Sequence, residues 1–90
     1  MTFLQVEFLT VRGRVVSFVV RLMRAMGGRW LNVVRYDTAH GLPHRDLLDR
    51  HGRIVRKDWL LEMPFDQALT YAKNDLETNY ERYCEAFEKR

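Results

Sequence analysis

The chain has one cysteine, Cys84, in 90 residues. No internal disulfide can form, and a thiolate-based metal centre lacks its ligands. Long apolar runs are missing too. The longest, residues 15–20, is interrupted by Ser17 and closed by Arg14 and Arg21, far short of the roughly 20 residues that cross a bilayer. Glu7 and Arg12 break the first apolar stretch and no small-residue cleavage site follows, so a secretory leader is not expected. Low-complexity tracts and internal repeats are also absent. These absences lead to the expectation of a protein of the reducing cytoplasm, with no membrane partner and no cofactor.

The residues that are present suit one folded domain, expected to span 1–90. Hydrophobic residues make up 47% and charged residues 30%, the balance of a chain that can build a core. At this size the core is small, which favours a homodimer. The net charge of +3 hides an asymmetry. Residues 1–57 hold 11 basic and 4 acidic residues, whereas residues 58–90 hold 4 and 8. Of the 15 basic residues, 12 are arginine, whose planar guanidinium grips phosphate or carboxylate in a bidentate way.

Arg12-Gly13, Gly27-Gly28 and His51-Gly52 separate segments rich in β-branched and aromatic residues, the pattern of tight hairpin turns. Strands are predicted at 2–11, 14–26, 29–38, 44–49 and 53–61. After Pro64 the period changes. Phe65, Leu69, Ala72, Leu76, Tyr80, Tyr83 and Phe87 recur at spacings of three and four, an apolar helical stripe predicting a helix over 64–88. The expected fold is α+β: an antiparallel meander of about five strands over 1–61, then one long C-terminal amphipathic helix packed on one sheet face. Two-residue turns would set Leu22 opposite Val33, Phe18 opposite Asp37 and Glu7 opposite Phe18. One face then carries Leu4, Val6, Phe8, Val15, Val19, Met23, Trp30, Val34 and Tyr36 and receives the helix. The other mixes Phe18, Val20, Leu22, Leu31 and Val33 with Glu7, Arg24, Arg35 and Asp37, which suits an interface or a lined cleft.

The densest polar cluster is residues 35–46, at the junction of the third and fourth strands. Two histidines at a loop mouth can act as acid and base, and an adjacent arginine can stabilise charge building on a phosphoryl group. His40 and His44 are the candidate acid and base, with Arg45 or Arg35 as the cation and Asp37 or Asp46 orienting a histidine. Arg21, Arg24 and Arg35 sit mid-strand, where a charge needs a reason, and are candidate phosphate ligands. A weaker metal reading uses His40, His44 and Asp46 as nitrogen and oxygen donors. The bland reading of the same residues is a loop in which Asp37-Thr38 forms an Asx-type turn. Trp30 is expected in the core.

The run Val34-Arg35-Tyr36-Asp37-Thr38-Ala39-His40-Gly41-Leu42-Pro43-His44-Arg45-Asp46 resembles the Arg-Tyr-Asp segment and His-rich stretch of small TumE-like proteins, the toxin members of prokaryotic toxin–antitoxin modules, and of related short prokaryotic proteins. The Pro64-Phe65-Asp66-Gln67-Ala68-Leu69 opening of an acidic helix is similar to their C-terminal part. This chain departs from the pattern at Asp46, where a further His is usual. The resemblance implies a toxin-like role directed at RNA, with a cognate antitoxin as protein partner. Together with the histidine cluster it sets the leading expectation, a metal-independent endoribonuclease. Alternatives are a non-enzymatic protein-interaction module and direct nucleic-acid binding without chemistry.

Overall fold

Arg12-Gly13 and Gly27-Gly28 take positive φ at both positions, 53° and 77° in the first and 59° and 77° in the second. This is the backbone of type I′ turns, whose twist matches the strands that flank them. The computed structural model describes residues 1–90, and these turns join its first three strands: β1 (Thr2–Val11), β2 (Arg14–Met26) and β3 (Arg29–Asp37). A short 3-10 turn, Ala39–Gly41, leads into β4 (His44–Leu48), then β5 (Ile54–Trp59) and α1 (Phe65–Glu88). All five strands form one antiparallel sheet in chain order, so the α+β meander with a C-terminal helix is the fold.

The predicted register fails at two places. Val11↔Arg14 and Thr10↔Val15 obey the two-residue turn, but Val16 is then bulged out and Leu9 pairs Ser17. In the second hairpin Met26↔Arg29 and Met23↔Asn32 hold, whereas Val33 is the extra residue and Leu22 pairs Val34. A one-residue slip turns side chains to the opposite face. Glu7 therefore sits opposite Val19, not Phe18, and Phe18 sits opposite Phe8. Asp37 likewise sits opposite Val19. The bulges sort what looked like a mixed face into one apolar face and one polar face.

The apolar face is Phe18, Val20 and Leu22 with Val34 and Tyr36, all buried, and Leu4 and Val15 pack against them. Val19, Met23 and Trp30, expected there, belong to the other face, and Trp30 is 48% exposed. The third turn differs as well. Leu48 pairs Ile54, so residues 49–53 form a longer loop, with Asp49 Oδ1 accepting from the backbone N–H of His51 (2.9 Å) and Arg53 (3.0 Å).

The helix starts at Pro64, whose carbonyl accepts from Ala68 N–H at 2.8 Å, with Asp66 in the first turn where the dipole favours an anion. Its buried stripe is Ala68, Leu69, Ala72, Leu76, Cys84 and Phe87. The two alanines let the helix backbone come close to the sheet. Tyr80 from the predicted stripe is exposed. The helix rests on β2 and, less extensively, on β3, leaving the other face of the sheet without a covering layer. It is also not long and apolar enough to cross a membrane. The longest dimension of the molecule, 42 Å, matches the 13 residues of β2 at roughly 3.3 Å each.

Candidate functional site

The polar cluster predicted at residues 35–46 is divided by strand alternation. Arg35 pairs with Asp46, Tyr36 with Arg45, and Asp37 with His44. Directly opposed residues share a face, so Arg35, Asp37, His44 and Asp46 point to the uncovered side and Tyr36 and Arg45 point under the helix.

On the uncovered side the four residues form one ion-pair cluster, joined by Lys57 from β5. Arg35 Nη2 donates to Asp46 Oδ2 at 2.8 Å, and Arg35 Nε lies 3.1 Å from Asp37 Oδ2. Lys57 Nζ lies 2.8 Å from Asp46 Oδ1. His44 Nε2 is 2.9 Å from Asp37 Oδ1 and 3.6 Å from Asp46 Oδ2, while its Nδ1 is 3.1 Å from the Leu42 carbonyl oxygen. Burial works against the charge of Asp46, but the hydrogen bonds from Lys57 and Arg35 outweigh it and hold its carboxyl below the usual range. Asp37 also accepts from Ala39 N–H at 2.9 Å, the Asx turn of the bland reading. Thr38 Oγ1 accepts from Phe18 N–H at 3.1 Å, which ties the turn to β2.

Under the helix a second network links Arg45 to α1. Arg45 donates through Nε (3.1 Å) and Nη2 (2.6 Å) to Asp58 Oδ2, and through Nη1 to the Tyr83 hydroxyl at 2.8 Å. Tyr83 and Tyr36 each donate to Asp75 Oδ2 at 2.5 Å, and Asn79 donates to Asp75 Oδ1 at 2.8 Å. Burial and the Asp75 carboxylate push the Tyr83 hydroxyl up to about 12, and raise Tyr36 as well. The Asp58 carboxyl is lowered by the hydrogen bond from Arg45. Every partner in this network is satisfied from within, so its task is to fix the helix on the sheet.

The expected catalytic set is therefore not assembled. His44 is 2% exposed with both ring nitrogens facing acceptors, leaving none free for a substrate. His40 lies exposed on the 3-10 turn, with φ 69°, and shares no hydrogen bond or ion pair with His44. Arg45 is on the opposite face and spoken for by Asp58. The expected phosphate ligands are occupied too. Arg24 pairs with Glu88 of the helix, Arg21 donates to Gln5 Oε1 at 2.9 Å and lies 3.9 Å from Glu7, and Arg35 holds Asp37 and Asp46. For the metal reading, Asp37 takes the place of His40: Asp37, His44 and Asp46 bring one ligand atom each within 4.8 Å of one another. Arg35 and Lys57 already balance the two carboxylates, so this donor set fits an ion-pair cluster better than a cation.

What the sequence reading missed is the surface around this cluster. Phe3, Trp30 and Trp59 lie on the uncovered face at 42%, 48% and 46% exposure. Phe3 and Trp30 meet edge-on with centroids 4.7 Å apart, and Lys57 Nζ sits 5.4 Å from the Trp59 ring. Alternation in β4 and β5, taken with the pairing Asp46↔Lys57 and His44↔Trp59, was the available signal. Arg12, Arg14, Arg29 and Arg50 have no carboxylate within ion-pair distance and lie at the rim.

Compared with known proteins, residues 1–90 match the family model described as Domain of unknown function (DUF7718). No curated protein and no solved structure gives a significant match.

Proposed function

The chain belongs to the DUF7718 family, a domain of unknown function, along its whole length, and from that premise we propose that it binds single-stranded RNA on its uncovered sheet face without cleaving it. The observation that carries the reading is the trio Phe3, Trp30 and Trp59, half-exposed on a face that no helix covers. Rings on an open sheet stack bases without regard to sequence, each worth about 1–3 kcal/mol. The interior cations are neutralised by their own carboxylates, so backbone phosphates fall to the rim arginines Arg12, Arg14, Arg29 and Arg50. In this reading the protein is cytoplasmic and toxin-like in the sense of the resemblance in residues 34–46, acting by occupying RNA. Cleavage by a histidine pair is not part of it, because His44 offers no free nitrogen.

Fluorescence anisotropy with a labelled single-stranded RNA tests the proposal. Binding is expected to weaken steeply with salt, and Trp30→Leu and Trp59→Leu each to weaken it about tenfold, with the RNA recovered intact. Binding that is absent at low salt, or indifferent to both substitutions, removes the reading.

A second reading, protein interaction, is favoured by β1. It is an edge strand of 10 residues with Glu7 as its one charge and no Lys or Pro, so it carries little of what normally blocks edge pairing. Its own antiparallel copy fits it. Centred on Val6, such pairing sets Leu4 against Phe8, Phe3 against Leu9 and Gln5 against Glu7, with no like charges opposed. A homodimer with a continuous sheet is the arrangement proposed, and an antitoxin strand on the same edge is the competing occupant.

A further inference from the structure

β3 is longer than the partner on its outer side. β4 pairs only with residues 34–37, so residues 29–33 have β2 on one side and no strand on the other. The β4–β5 loop swings past this gap and closes it into a notch of about 420 Å³, within the range of small-ligand pockets, roughly 300–1,000 Å³. Its walls include Arg29, Trp30, Asn32, Arg35, Arg50 and His51.

Three features of the notch ask for a ligand. First, it holds uncompensated positive charge. Arg29 has no carboxylate within ion-pair distance, and Arg50 donates through Nη2 only to the neutral Glu88 carbonyl, at 3.2 Å. The one acid in the lining, Asp49, is turned into its own loop by the His51 and Arg53 N–H groups and faces Arg53 at 3.8 Å, and those bonds hold its carboxyl below the usual range. Second, Asn32 lines the notch, and its Oδ1, buried and without a hydrogen bond, would meet a ligand N–H on a turn of the side chain, removing the cost of the unmade bond. Third, Trp30 is held in place by Phe3 edge-on, which offers a flat ligand a fixed apolar surface.

An anionic group for Arg29 and Arg50, an N–H for Asn32 and a planar ring beside Trp30 are the parts of one phosphorylated nucleotide. We infer that the notch binds a single nucleotide through its phosphate and base. The inference rests on the RNA reading above for its source: the unit is one nucleotide of a bound strand, and the free mononucleotide is its minimal form. Charge-assisted hydrogen bonds from a pair of arginines carry the phosphate, and the Asn32 carbonyl favours bases that present an amine or ring N–H.

Isothermal titration of the full chain with adenosine monophosphate, adenosine and inorganic phosphate, beside RNA anisotropy, separates the possibilities. Adenosine monophosphate is expected to bind, with adenosine at least tenfold weaker. In Arg29→Ala/Arg50→Ala, whose side chains are exposed, affinity for the monophosphate should fall tenfold or more and the RNA salt slope should become shallower, with an unchanged thermal midpoint. Asn32→Ala should weaken adenosine monophosphate but not inorganic phosphate. Equal affinity for nucleotide and nucleoside, or no binding of the nucleotide, overturns the notch. RNA binding that is identical in wild type and the double variant overturns it and cuts the open-face reading back to its aromatic rings, with Arg12 and Arg14 left for the phosphates. Nucleotide binding without RNA binding supports the notch and removes the RNA reading.

Discussion

Asp46 and Asp58 are a controlled comparison at the residue scale. Both carboxylates sit on neighbouring strands and both serve two cations, Arg35 and Lys57 for the first, Arg45 and Arg56 for the second. Asp46 is 1% exposed at its side chain and Asp58 26%. Removing a fully enclosed carboxylate takes a partner from Arg35 and Lys57 at a point that water does not reach, whereas water can replace a partly exposed one. Asp46→Ala is expected to cost about 3 kcal/mol and Asp58→Ala about 1 kcal/mol, measured by urea unfolding. Equal losses would mean that burial does not govern the cluster. The sequence showed which residues gather at 35–46 but not which are spoken for. A mid-strand arginine looks the same whether it awaits a phosphate or already holds Asp46, and the identity of its partner depends on a register that only the bulges decide.

At the scale of elements, each strand and the helix were legible to within two residues, because alternation and the three-and-four spacing are local properties. Facing was not. Val16 and Val33 are ordinary β-branched residues, and nothing in their type marks them as bulged. The bulge at Val33 sets Val34 and Tyr36 beside Phe18, Val20 and Leu22 under the helix, where an unbroken ladder would bring Arg35 and Asp37, a preference of tertiary packing. β1 and β5, the two edges, differ in a testable way. β5 has six residues and carries Arg56, Lys57 and Asp58, which discourages pairing, whereas β1 leaves Phe8 and Leu9 each 58% exposed. Sedimentation of the wild-type chain is expected to show a dimer and Val6→Lys a monomer, since the substitution opposes two charges at the two-fold. A monomeric wild type, or an unaltered dimer in the variant, removes the β1 arrangement.

Taken whole, the molecule is stabilised by carboxylates that stay ionised and phenols that stay neutral, which sets its pH range. Asp46, Asp49 and Asp58 have depressed carboxyl pKa values, so the stability they contribute is full above about 4, the unfolded value, and is lost as pH falls through their folded values. Tyr36 and Tyr83 are raised, Tyr83 to about 12. Their contribution is full below about 10, where unfolded tyrosine ionises, and is lost as pH rises toward the folded values. Thermal midpoints should therefore decline on both flanks, and Tyr83→Phe should flatten the alkaline flank while leaving the acidic one in place. An alkaline flank unchanged by that substitution would show that Tyr83 does not set it. The strand order of the sheet is also the order of synthesis. During translation each strand can pair with the one just made, by short loops that close quickly, so a growing sheet is never short of a neighbour. Its apolar side is another matter. The helix that covers Phe18, Val20 and Leu22 follows all five strands, and a ribosome that has delivered every strand has still delivered no lid. The nascent chain thus carries a finished but sticky sheet for the time it takes to add residues 65–88, the interval in which a chaperone or an early partner would find it.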